Sequence, residues 1–233
     1  MANIILVHGA FTDALCWAGV IPILTACGHR VVAVQSPATS LDDDVAAVKR
    51  AKAEFGNAPT VLVGHCYGGT VISAAASGDR DVIALVFVAG LTNRKGESVK
   101  DLLGTFPATE GMQALRTDSE GWAILDRDVF PELFASDLSI EQAQILASSQ
   151  PRLGPACFET ELKVEPAWKT VRSWYLICEQ DRTVDPKLQL SLATRIGAHI
   201  VSIQASHVAM LSQPEVVADA INQAAIRKAF VTG

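Results

Sequence analysis

Dense clusters of lysine and arginine are absent from this chain, and its formal net charge is −6. Neither nucleic acid nor an anionic membrane surface is therefore an expected partner. Long apolar runs are also missing: none approaches the roughly 20 residues needed to cross a bilayer. The stretch Ile4–Val7 is too short for a signal-peptide core, has no basic segment before it, and runs straight into His8 and Gly9. The expected location is the cytoplasm. Cysteine is sparse and unpaired in pattern: Cys16, Cys27, Cys66, Cys157 and Cys178 are odd in number, scattered, and without C-x-x-C spacing. That argues against a disulfide framework or a zinc site and suits thiols in a reducing compartment. Internal repeats and low-complexity stretches are not found.

What is present is apolar. Hydrophobic residues make up 49% of the 233 positions and charged ones 19%. A chain of this length fits one domain whose core needs no staples, and the balance suits a sheet covered by helices on both faces. The expected partner is a small neutral or weakly polar molecule, and a homodimer stays open.

Short β-branched runs alternate with longer segments of helical period. Residues 3–7, 31–34, 60–64, 82–88, 173–178 and 199–203 read as strands, most of them apolar on both faces. Residues 14–26, 41–55, 67–77, 186–196 and 214–229 read as helices. The alternation implies right-handed crossovers and a mostly parallel, about six-stranded sheet. Asp42, Asp43 and Asp44 sit where negative charge suits a helix start, and Asp185-Pro186 reads as a cap followed by proline in the first turn.

The rhythm breaks between the fourth and fifth strands, from Leu91 to Thr170, where no convincing strand is legible. This segment carries Leu102, Phe106, Met112, Trp122, Leu125, Phe130, Phe134 and Leu138, punctuated by prolines. The expected organisation is a core of residues 1–90 and 171–233 with a helical cap insertion at 91–170.

The most specific pattern is Gly64-His65-Cys66-Tyr67-Gly68-Gly69 between an apolar strand and a helix of small residues. It matches G-x-S-x-G except at the central atom. In such a turn the nucleophile is strained, and its neighbours two positions either side must be small. A thiol keeps that geometry while supplying a nucleophile that ionises near pH 8.5 unperturbed. His8-Gly9-Ala10-Phe11 follows the first strand, where a loop can aim the Ala10 N–H, together with that of Tyr67, at a developing oxyanion. His8 reads as structural, as do His29, His65 and His199.

With these segments in view, the chain resembles an α/β-hydrolase, of the small esterase branch related to plant methyl esterases and hydroxynitrile lyases. Leu6–Phe11 with Trp17, Gly64–Gly69, Cys178–Asp181 and Ser206–Pro214 carry the likeness. The resemblance implies the chain order nucleophile, acid, histidine, assigning those roles to Cys66, Asp181 and His207. The strand pattern supports both later residues: Asp181 follows residues 173–178 by three and His207 follows residues 199–203 by four, so both project from the carboxyl edge of the sheet. Glu179 and Asp185 are lesser candidates for the acid.

The family usually has serine at position 66. The sequence leaves open a natural cysteine hydrolase, as in the dienelactone-hydrolase branch, or a serine esterase whose nucleophile has been replaced. The resulting expectation is hydrolysis of a small carboxylic ester, lactone or thioester through an acyl intermediate on Cys66, with His207 as general base and no metal or organic cofactor. Phe11, Trp122 and Phe130, with Tyr67, are expected to line an apolar pocket. A carbon–carbon lyase of the hydroxynitrile type is the second reading, weakened because Val208 stands where those relatives carry lysine. A silent ligand-binding protein of the same fold is the third.

Overall fold

The computed structural model describes residues 1–226. Its eight strands are β1 (Asn3–Val7), β2 (Arg30–Val34), β3 (Thr60–His65), β4 (Val82–Val88), β5 (Leu115–Thr117), β6 (Ala123–Leu125), β7 (Ser173–Cys178) and β8 (His199–Ile203). Six form one parallel sheet in the order β2-β1-β3-β4-β7-β8. β1 and β3 are buried along their whole length, which explains why they read as continuous apolar runs rather than alternating ones.

Register aligns the carboxyl ends of the central strands, with Val7 opposite Gly64 and Gly64 opposite Phe87. The loops that leave these ends form one rim. Four non-glycine residues have left-handed backbone, Phe11, Ala38, Cys66 and Ala89, and they follow β1, β2, β3 and β4 in turn. Strain of this kind costs roughly 1–3 kcal/mol per residue and is tolerated only where the surroundings dictate it.

Helices cover the sheet. α1 (Val20–Ala26) packs against α11 (Pro214–Ala225), which follows the short α10 (Ala209–Ser212), while α2 (Leu41–Ala53) packs against α3 (Gly68–Ala75). The segment read as one helix over residues 14–26 is divided: a 3-10 turn at Ala14–Trp17 precedes α1. Asp13 caps that turn, and Trp17 is wholly buried. The final helix covers Pro214–Ala225; the end of the segment expected to reach Ala229 lies outside the described residues.

Between β4 and β7 lie α4 (Val99–Leu103), α5 (Glu110–Gln113), α6 (Phe130–Leu133), α7 (Ile140–Ser149) and α8 (Pro155–Glu159), and after β7 comes α9 (Pro186–Arg195). The segment is not purely helical, because β5 and β6 pair antiparallel within it. Three residues per strand are too few to register as an alternating pattern. Among the described residues, no helix is long and apolar enough to cross a membrane.

Candidate active site

Cys66 stands between β3 and α3 with φ of 48°. Three backbone hydrogen bonds hold it there: its N–H donates to the Val88 carbonyl at 3.1 Å, and its carbonyl accepts from the N–H groups of Gly69 and Leu91 at 2.9 Å. The close approach of strand and helix dictates glycine at 64, where a Cβ would fall 2.5 Å from the Gly68 carbonyl oxygen. On the other side the loop after β1 presses on the turn, since a Cβ at Gly9 would fall 2.7 Å from that of Cys66. Ala10 and Tyr67 line the space beside Cys66, and neither backbone N–H donates to a backbone acceptor among the described residues.

His207 follows β8 and is completely buried. Its Nδ1 lies 2.6 Å from Asp181 Oδ2. Its Nε2 is buried without a hydrogen bond, next to Cys66 but not in bonding geometry with it. Burial works to lower the pKa of this imidazole, yet the charges of Asp181 and then Cys66 outweigh it and raise the value from 6.5 to about 10. The carboxylate is fixed from four directions. Oδ1 accepts from the N–H groups of Thr183 and Val184 at 2.7 and 2.9 Å, and Oδ2 accepts from Gln189 Nε2 at 2.8 Å as well as facing His207. Of the lesser acid candidates, Glu179 is exposed and Asp185 caps α9 through the Lys187 N–H.

Two further histidines lie close by. His65 Nε2 donates to the backbone carbonyl of His207 at 2.9 Å, with the two rings 4.6 Å apart. Burial holds the His65 pKa well below its ordinary range, so it is a neutral brace. His8 accepts from the Ser36 N–H through Nε2 and donates from Nδ1 to the Gly9 carbonyl, which ties down the loop that carries Ala10.

The three aspartates at the start of α2 have different roles. Asp42 pairs with Lys163, and Asp43 bonds Thr39 and Ser40 at the helix start. Asp44 is instead wholly buried, accepting from the Ala38 N–H and from the Tyr67 hydroxyl at 2.8 Å each. Burial raises its pKa, and burial likewise pushes the Cys157 thiol beside it up to about 12. Cys16 and Cys178 are also pushed up by burial, which keeps these thiols protonated and unreactive.

A small chamber of about 20 Å³ adjoins Cys66, lined by Ala10, Phe11, Tyr67, Leu91, Val99 and Phe134 among others. Through Leu103, Met112, Phe158, Thr183 and Val184 it shares walls with an outer cavity of about 460 Å³. Phe11 is thus at the chamber, whereas the expected pocket residues Trp122 and Phe130 line neither space. Trp122 is half-buried in the turn before β6, and Phe130 lies a layer back, its ring tilted against that of Phe134 with centroids 4.6 Å apart. Phe134 takes the expected place, with its ring 4.7 Å from that of His207. Gln189 was not singled out by sequence reasoning, Asp44 was read only as a helix-start charge, and Phe134 only as one of the insertion's apolar residues. For Gln189 the available signal was a carboxamide among the inward apolar positions of α9.

A parallel α/β sheet with a strained turn after its third strand, and an imidazole and a carboxylate reaching the same rim from later loops, defines an enzyme of hydrolytic type. The chain belongs to the alpha/beta hydrolase family, whose model matches residues 4–220. It is similar to the alpha/beta hydrolase nvfD of Aspergillus novofumigatus, 28% identical over 242 residues that cover 95% of this chain and 96% of that protein. It is also similar to Methylesterase 2 of Arabidopsis thaliana, at 25% identity over 93% of each. A solved pyrethroid hydrolase from Sphingobium faniae JZ-2 shares the fold with a TM-score of 0.82 at 22% identity, over 96% of this chain and 97% of that one. The chain is accordingly a hydrolase of the esterase branch that includes plant methylesterases.

Proposed function

We propose that the chain hydrolyses a small carboxylic ester, lactone or thioester by way of an acyl group carried on Cys66. The Cys66 thiol first gives its proton to His207 Nε2, whose raised pKa suits it to hold that proton; the thiolate attacks the carbonyl carbon, and the imidazolium then delivers the proton to the departing oxygen. Asp181 keeps the imidazole in the tautomer with Nδ1–H and stabilises its charged form. The carbonyl oxygen, negative in the tetrahedral intermediate, is received by the N–H groups of Ala10 and Tyr67; each such donor contributes roughly 3 kcal/mol to lowering the barrier. Water then attacks the thioester with His207 as base, releasing the acid and restoring the thiol. In this reading residues 91–170 serve as a cap that closes the apolar cavity over the reacting atoms, and no metal or organic cofactor is called for.

The observation that carries the reading is the buried, unpartnered Nε2 of His207 beside Cys66, with the opposite nitrogen fixed by Asp181. Hydrolysis is favoured over lyase chemistry because the wholly buried Val208 supplies no cation next to the imidazole. The test is p-nitrophenyl acetate followed by intact-mass measurement and peptide mapping. Wild type gains one acetyl group on Cys66, and Cys66→Ala gains none and loses turnover. Undiminished turnover in Cys66→Ala overturns the reading.

A further inference from the structure

We infer that the acyl group held on Cys66 passes to apolar amines in preference to water, so that the same site is an amide-forming acyltransferase as well as a hydrolase. The inference rests on the acyl-Cys66 reading above and concerns how that intermediate is consumed.

Space is the first argument. The chamber at Cys66 offers about 20 Å³, room for roughly one water molecule, and its exposed lining is apolar throughout. A water is held in place by two to four polar partners. During deacylation the amide donors of Ala10 and Tyr67 are taken up by the carbonyl oxygen, and His207 Nε2, buried and outside the chamber lining, is the one catalytic group left to orient an attacking water. A nucleophile held at a single point is poorly aligned for attack.

The outer cavity is the second. At about 460 Å³ it is large enough for an aromatic or branched body, and Phe106, Met112, Leu115, Phe158 and Leu188 are among its walls. Of its charged rim residues, Lys100 and Glu159 lie 3.8 Å apart and neutralise each other, and Asp185 is engaged as a helix cap by the Lys187 N–H. By microscopic reversibility an acceptor attacks along the line by which the alcohol departs, so the cavity that releases an apolar alcohol also gathers an apolar acceptor. Burying apolar surface there is favourable by about 25 cal/mol per Å². The apolar inner walls favour the neutral amine, which is the nucleophilic form, over the ammonium ion at the approach to Cys66.

Sulfur is the third. A thiolate is a far weaker base than an alkoxide and leaves more readily, so the thioester stays activated toward amines. The step balances without oxidant or reductant. The amine nitrogen bonds to the acyl carbon and gives a proton to His207 Nε2; the carbon–sulfur bond then breaks, its electron pair returns to sulfur, and the proton follows from His207. The products are an amide and the free thiol.

The experiment supplies p-nitrophenyl acetate and increasing benzylamine at mildly alkaline pH, with ethanolamine as a polar amine control and enzyme-free reactions subtracted. N-benzylacetamide and acetate are quantified by mass spectrometry, and acetyl-Cys66 is followed by intact mass. The expected result is saturable amide formation, an amide-to-acid ratio on the order of tenfold above that with ethanolamine, and a comparable fall in that ratio for Cys66→Ser. If acetyl-Cys66 forms but acetate remains the product at every benzylamine concentration, the inference is overturned while the hydrolase reading stands. An unchanged ratio in Cys66→Ser overturns the part assigned to sulfur. If acetyl-Cys66 never forms, both readings fall.

Discussion

Gln189 and Asp181 are joined by a 2.8 Å hydrogen bond deep in the protein, and the same carboxamide accepts from the Cys178 N–H at 2.9 Å. One side chain thus ties the end of β7 to the carboxylate that faces His207. Replacing it by leucine keeps the volume but strips a partner from each. Gln189→Leu is expected to lose about 1–3 kcal/mol in urea unfolding and on the order of tenfold in kcat, with KM little altered. An unchanged kcat at full occupancy counts against a positioning role.

At Gly64 the added methyl of alanine would meet the backbone of Gly68, which cannot yield as a side chain can. Gly64→Ala is expected to cost more than about 3 kcal/mol of stability, or to force the turn open and abolish acetylation of Cys66. A variant with a wild-type melting curve and normal adduct formation contradicts the close-packed turn described here.

Tyr67 is coupled to Asp44 across the interior, and its backbone N–H is one of the two assigned to the oxyanion. Tyr67→Phe and Asp44→Asn are each expected to destabilise the fold and slow acylation. Combined in a double-mutant cycle they should show a coupling of about 1–2 kcal/mol. Strict additivity in both stability and acylation rate argues that the hydroxyl contact does not position the amide.

The raised pKa of His207 has a consequence for stability. Because the folded value of about 10 exceeds the ordinary 6.5, the protonated form is bound more tightly in the native state. The stabilisation is complete below the unfolded value and is lost as pH climbs toward the folded one. Relative to His207→Gln, wild type is expected to be more stable by on the order of 2 kcal/mol at about pH 6, with the gap narrowing by about pH 9. A gap that widens with pH contradicts the sign.

Much of the fold was legible because six short β-branched runs, the central four (β1, β3, β4 and β7) buried on both faces, leave little ambiguity of period. β1, β4, β7 and β8 coincide with their expected bounds, and β2 and β3 differ by one residue at one end. The site was legible where a backbone constraint writes itself into composition, as with Gly64 and Gly68 around Cys66. It was illegible where orientation decides. Phe130 and Phe134 are adjacent turns of one apolar stretch, and only the path of the chain turns Phe134 toward His207 and Phe130 behind it. Asp44 shares its local sequence with Asp42 and Asp43, yet tertiary contact with Tyr67 sets it apart.

Phe134 touches His207 edge-on and also meets Phe11. Part of the wall around the imidazole is therefore built by the segment inserted between β4 and β7. Grafting a relative's residues 91–170 onto this scaffold would change the dielectric surroundings of the ring along with the shape of the cavity, so ligand preference and proton affinity would be inherited as one trait.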